Sequence, residues 1–230
     1  MKKSISSLVI SLFFCFTSYA QISFITKAGV TFSDINFDKK QPEQQYKMGL
    51  VAGAGFNLPV IKDFFSIQPE LLYIQKGYIS ELNLQAIDND DPILISGKYQ
   101  DRIHLNYLEL PVLAKISFGG EIIRAYVNAG PSLGYCIKGV RKIEGEERKT
   151  ESDIKFGHDQ YFDNRFDFGA QFGGGIGLQA GPGVLLLDVR YGLGFSNLYK
   201  TGNTVSQEEA QSKHQVFALT MGYAIPLGKK

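Results

Sequence analysis

The chain has 230 residues, with 24 Lys and Arg against 23 Asp and Glu and a formal charge of +1. That balance leaves no basic surface for nucleic acid and no charged tail. After residue 20 no apolar run approaches the ~20 residues of a spanning helix.

Lys2 and Lys3 precede an apolar core at residues 8–16, and Ser18-Tyr19-Ala20 puts small residues at the outer two cleavage positions. This pattern reads as a secretory signal peptide over 1–20, cut after Ala20, with one domain over 21–230. The apolar run is too short to span a bilayer, and Phe13-Phe14 before Cys15 do not suit a lipidation site. Loss of Lys2 and Lys3 turns the formal charge from +1 to −1. Cys136 is then the only cysteine, so no internal disulfide is expected; its place in a strand predicts a buried, inert thiol.

The predicted strands rest on period-two alternation, which sends successive side chains to opposite faces. The first covers 22–33, with Phe24, Thr26, Ala28, Val30 and Phe32 opposite Lys27, Gly29, Thr31 and Ser33. A polar segment, 34–45, leads to the second, 46–57, where Met48, Leu50 and Phe56 oppose Lys47, Gly49 and Gly53. The third starts near Phe65, sets Ile67, Leu71 and Tyr73 against Gln68 and Glu70, and fades after Gly77 into a polar stretch, 81–102. In the fourth, 103–118, Leu108, Leu110, Val112 and Ile116 oppose Tyr107, Glu109 and Lys115. Gly119-Gly120 then signals a hairpin. The fifth runs on to Lys138, with Ile123, Val127, Leu133 and Tyr135 opposite Arg124, Tyr126, Asn128 and Cys136. Residues 139–163 form the longest and most charged connection. Strands six and seven make a hairpin over 165–198 around Gly181-Pro182-Gly183. Its greasy face holds Phe166, Phe168, Phe172, Ile176, Leu185, Leu187 and Val189; the other holds Arg165, Asp167, Gln171, Asp188 and Arg190. After a polar segment, 199–213, the eighth covers 214–227. Pro69, Pro111 and Pro131 fall inside strands, where bulges are expected.

Eight strands with connections alternating long and short predict an all-β fold: an eight-stranded antiparallel transmembrane β-barrel with short periplasmic turns and long extracellular loops. A soluble barrel with the greasy face inward fails on volume, because eight strands enclose too little space for so many Phe, Tyr, Leu and Ile side chains. A soluble barrel with that face outward would expose far too large an apolar patch. Outer-membrane lipid resolves the conflict, and closure leaves no unpaired edge in hydrocarbon. The expected location is the outer membrane of a Gram-negative bacterium, as a monomeric barrel.

Lys27-Ala28-Gly29-Val30-Thr31-Phe32-Ser33 opens a set of telling segments. The others are Gln68-Pro69-Glu70-Leu71-Leu72-Tyr73-Ile74-Gln75-Lys76-Gly77, Leu105-Asn106-Tyr107-Leu108-Glu109-Leu110-Pro111, Asn128-Ala129-Gly130-Pro131-Ser132-Leu133-Gly134 and Asp188-Val189-Arg190-Tyr191-Gly192-Leu193-Gly194. Together they resemble the PorT-like outer membrane β-barrel (porin) family of Bacteroidetes over nearly all of residues 21–230. The resemblance implies an outer-membrane location and brings no catalytic residues. The chain ends Leu227-Gly228-Lys229-Lys230 rather than on the aromatic residue common in outer-membrane barrels.

By parity Lys27, Lys47, Lys115, Arg124, Arg165 and Arg190 point into the lumen, as do Glu70, Glu109, Asp167 and Asp188. Charges in a narrow barrel must pair. They read as a structural ion-pair plug, the competing reading being a polar path for a solute. His104, His158 and His214 lie in or beside long loops, without metal-ligand spacing or a neighbouring nucleophile motif. Gly175-Ile176-Gly177 is not a dinucleotide fingerprint, because a turn follows where a helix must begin. The acidic run 88–91 reads as solvated loop. No catalytic, cofactor-binding or metal residue is assigned, and the chain is not expected to be an enzyme. The expected role is a scaffold that presents its loops, an envelope or secretion protein being one partner they could take; 139–163, with Phe156, Tyr161 and Phe162, reads by default as a polar surface loop, a protein-binding loop being the sharper option. The alternatives are a small-solute channel, an accessory factor of a secretion complex, and a lipid-modifying enzyme with a rim histidine.

Overall fold

The computed structural model describes residues 21–37, 44–86, 95–145, 149–156, 165–197 and 212–228. The expected leader at 1–20, the acidic run at 88–91, His158, Tyr161, Phe162 and nearly all of 199–213 lie outside them.

The strands are β1 (Ser23–Phe37), β2 (Gln44–Ile61), β3 (Phe65–Ala86), β4 (Ile95–Gly119), β5 (Ile123–Glu144), β6 (Lys149–Asp153), β7 (Phe166–Ala180), β8 (Gly183–Gly194) and β9 (Ser212–Pro226). Eight of them close a ring of antiparallel pairs, β1–β2–β3–β4–β5–β7–β8–β9 and back to β1. The expected eight-stranded antiparallel barrel is therefore the fold. Alternation sorts the side chains. Leu50, Phe56, Leu71, Phe118, Val127, Phe168, Ile176 and Met221 keep 43–59% of their surface exposed on the outside. Ile25, Leu105, Leu113, Glu70 and Gln68 are at most 2% exposed inside.

Three expectations are corrected. First, β3, β4 and β5 run 22, 25 and 22 residues, whereas β7, β8 and β9 run 15, 12 and 15. One side of the barrel thus rises well above the other. Much of the predicted connections 81–102 and 139–163 is strand, and residues 149–153 fold back on β5 as a ninth strand, β6. Alternation is invisible there because polar residues stand on the outer face too. Arg102 Nη2 donates to Gln100 at 2.8 Å and sits 3.5 Å from Glu144, while Lys142 meets Glu151 at 2.9 Å. These polar contacts, two of them across strands, replace the apolar pattern.

Second, the prolines carry no bulges. Opposite Pro69, Pro111 and Pro131 the pairing with the preceding strand lapses for two positions and resumes in the same register. Each ring removes one donor, but ladder bonds on both sides hold the strands. The register shifts lie elsewhere, in β2–β3 after Tyr46 and Pro59 and in β4–β5 at Asn106/Tyr107. Third, two of the ten expected lumen charges, Arg124 and Arg165, lie at the rims.

The small inward residues make room for large ones. A Cβ on Gly175 would stand 2.7 Å from Tyr126 Cζ, so the glycine lets that ring cross the lumen. Gly77, at φ +144°, admits an extended backbone turn that a side chain would strain.

Candidate functional site

The inward charges gather into two knots. In the lower one, nearer the periplasmic turns, β3 supplies Glu70, β8 supplies Asp188 and Arg190, and β1 supplies Lys27. Two residues apart, Asp188 and Arg190 share a face. Arg190 grips Glu70 with two parallel bonds, Nη1 to Oε2 at 2.6 Å and Nη2 to Oε1 at 3.0 Å. Its Nε lies 2.7 Å from Asp188 Oδ1. Lys27 Nζ reaches Glu70 at 2.7 Å. Gln68 donates to Glu70, and Tyr126 Oη donates to Asp188 at 3.0 Å. All four charged residues are at most 7% exposed. A planar guanidinium meeting a carboxylate in this fork is the strong form of such a bond.

In the upper knot Lys76 of β3 bridges Glu109 of β4 and Asp167 of β7, at 3.0 Å each. Gln171 donates to Glu109 at 2.8 Å. Tyr107 lies under Lys76, 4.9 Å from ring centroid to ammonium, and its hydroxyl is 3.3 Å from His214 Nε2. A cavity of about 30 Å³ separates the knots, with Lys27, Lys76, Glu109, Gln171, Arg190 and Thr220 among its walls. That is room for one or two waters. Apolar layers close both ends. Ile35, Ile103, Leu105 and Cys136 pack above, with Ile154 and Phe156 against them, and Ile25, Leu186 and Ala224 pack below.

The structure thus brings together Lys27, Glu70, Asp188 and Arg190, and separately Glu109 and Asp167. Lys115 is buried, but its ammonium lies 3.9 Å over the Tyr126 ring instead of on a carboxylate. Lys47 is buried too and reaches the Lys76 carbonyl at 3.5 Å. Arg124 is corrected: it meets Asp63 at 2.6 Å at the periplasmic rim, a third exposed. Arg165 is corrected as well: it precedes β7, is exposed, and stacks 5.0 Å over Phe156. Arg124, the second residue of β5, and Arg165, just before β7, stand at strand ends, where a long side chain reaches the rim. His214 sits inside β9 at 2% exposure and His104 inside β4, half-buried.

Sequence reasoning missed Lys76, the centre of the upper knot. It lies six residues after Glu70, on the same face of a strand read as fading there. Tyr107, Tyr126 and Gln171 carried the same parity signal, without charge to draw attention to them. Cys136 is fully buried, its thiol 3.6 Å from the Lys138 carbonyl.

A family model described as "Outer membrane protein beta-barrel domain" matches residues 18–200. No curated protein matches the chain. Among solved structures, Neisserial surface protein A is 11% identical, with 89% of this chain and 97% of that chain covered and a TM-score of 0.43. OprG from Pseudomonas aeruginosa is 13% identical, with coverage of 91% and 98% and a TM-score of 0.44. The attachment invasion locus protein Ail of Yersinia pestis, solved with a heparin analogue, is 11% identical, with coverage of 90% and 100% and a TM-score of 0.42.

Proposed function

Because this chain belongs to the outer membrane protein β-barrel domain family, and is an outer-membrane β-barrel, we propose that it is a non-conducting scaffold whose extracellular strand ends and loops carry its interactions. One observation carries this reading: the buried charges inside the barrel pair in two knots, with apolar clusters above and below them and only a cavity of about 30 Å³ between. A hydrated ion needs a continuous polar path, and the pairing of most buried charges between apolar clusters argues against one. The tall side formed by β3 to β6 supports the second half of the reading, since it lifts folded backbone clear of the lipid on one side.

The finer placement rests on sequence. The five quoted segments support membership of the PorT-like branch of Bacteroidetes, and residues 1–20 have the pattern of a cleaved leader. The scaffold reading is tested in planar bilayers. Reconstituted protein leaves conductance at the bare-bilayer level. Discrete openings of reproducible size would establish the channel reading instead.

A further inference from the structure

Residues 154–156 lie as a strap over the upper apolar layer of the lumen. Ile154 and Phe156 are half-buried and pack against the layer that holds Ile35, Ile103, Leu105 and Cys136, while Lys155 between them is exposed. Gly139 makes the seat. A Cβ there would stand 2.9 Å from Ile154 Cβ and 3.1 Å from Leu105 Cδ2, so a side chain would push the strap away. The Ile154 amide donates to the Gly139 carbonyl at 2.8 Å. Arg165 holds the other end. Its guanidinium stacks 5.0 Å over the Phe156 ring, and its carbonyl accepts from the Cys136 amide at 2.8 Å.

The strap continues β6, and β6 is the least supported strand of the molecule. Its five residues are all exposed, and among the described residues it pairs with β5 alone. Its ion pairs with β5, such as Lys142 with Glu151 at 2.9 Å and Lys138 with Asp153 at 3.8 Å, lie at the surface and add little. A solvated, one-sided segment of this kind opens at far lower cost than a strand paired on both sides. The eight wall strands have two neighbours each. The barrel is therefore complete without β6 and the strap.

We propose that Ile154, Phe156 and Arg165 form a releasable latch over the extracellular mouth. The two apolar side chains plug a socket in the upper layer, Arg165 clamps the ring, and β6 is the handle. The latch deepens the scaffold reading and rests on its closed lumen. Released, it uncovers a blind apolar socket and no passage, because the two ion knots lie beneath. A partner that grips β6 at the cell surface pulls directly on the strap, so an outside contact is coupled to the state of the mouth.

The test uses Cys136, in the layer beneath the strap, as reporter, and a small water-soluble maleimide as probe on the full chain in vesicles. Ile154→Ser with Phe156→Ser lets the thiol react at least about 100-fold faster than in the parent. The heat-dependent gel shift verifies that the barrel is kept. The parent supplies a second measurement: in rising urea Cys136 becomes reactive before the folded band is lost. Arg165→Gln lowers the urea concentration at which that happens and leaves the midpoint for the folded band where it was. A cysteine between the knots, Thr220→Cys in a Cys136→Ser chain, stays unmodified when the strap is changed. A protected Cys136 in the folded double variant would mean that another element covers the mouth, and overturns the proposal. So does a parent in which Cys136 reacts only as the folded band disappears, since strap and wall would then open as one unit. Modification of the cysteine at 220 would make the mouth a passage and overturn the blind socket. Failure of the scaffold reading is seen separately, as conductance of the parent.

Discussion

The lower knot of the lumen and the tall extracellular sheet contain the same kind of pair in opposite surroundings. Arg190 and Glu70 meet at 2.6 Å with 6% and 1% of their side chains exposed. Lys142 and Glu151 meet at 2.9 Å with 38% and 60% exposed. Distance alone would rank them alike. Burial separates them, because the lumen pair has given up its water and each partner depends on the other. The exposed pair retains solvent as an alternative partner, so its net worth is small. The knots hold the inside of the barrel in one arrangement; the outer ladder keeps a polar sheet soluble above the membrane.

The largest effect follows from breaking the lower knot on one side only. Glu70→Ala leaves Lys27 and Arg190 with only Asp188 between them, and about 3–5 kcal/mol of stability is lost. The midpoint of urea unfolding, read from the folded and unfolded bands on unheated gels, reports it. A loss below about 1 kcal/mol would mean that water reaches the knot. Replacing Glu70 and Arg190 together by Leu and Met costs less than the single change, since no charge of that pair is orphaned.

An intermediate effect tests how the lumen is filled. Gly175→Val drives a side chain into the Leu187 carbonyl and the Tyr126 ring and costs about 1–3 kcal/mol. Tyr126→Ala in the same chain removes the ring contact but not the one with the Leu187 carbonyl, so the two changes are partly non-additive. Additive costs would show that the ring does not depend on the glycine. The smallest effect belongs to the outer ladder. Lys142→Gln with Glu151→Gln leaves the urea midpoint where it was. The Lys142 hydrogen bond holds the Glu151 carboxyl below its usual value. Any contribution is therefore present at neutral pH and fades as pH falls through that lowered value. A variant markedly less stable than the parent at pH 7 would contradict this.

The barrel was legible because lipid and a narrow lumen impose opposite demands on alternate residues. Phe166, Phe168 and Phe172 against Asp167, Gly169 and Gln171 already contain the wall. The lower knot was half legible: Lys27, Glu70, Asp188 and Arg190 share the inward parity, but nothing in sequence says which cation meets which carboxylate. That depends on shear between strands 120 residues apart in the chain, as for Arg190 and Glu70. Lys115 shows the limit of charge counting, since an aromatic face took the place of the expected anion. The upper halves of β3, β4 and β5 were not legible, because strands leaving the membrane need no apolar face. Their register comes from backbone bonds and polar cross-strand pairs.

The most direct measurement uses Cys136, which lies fully buried inside the barrel under Ile154 and Phe156. Folded protein in vesicles is treated with a small water-soluble maleimide, and the fraction of modified thiol is read by mass. A filled lumen leaves Cys136 unmodified until the barrel is unfolded by heat in SDS, and then fully modified. Rapid modification in the folded state would mean that solute-sized molecules pass the upper layer, and the filled-lumen account would be wrong.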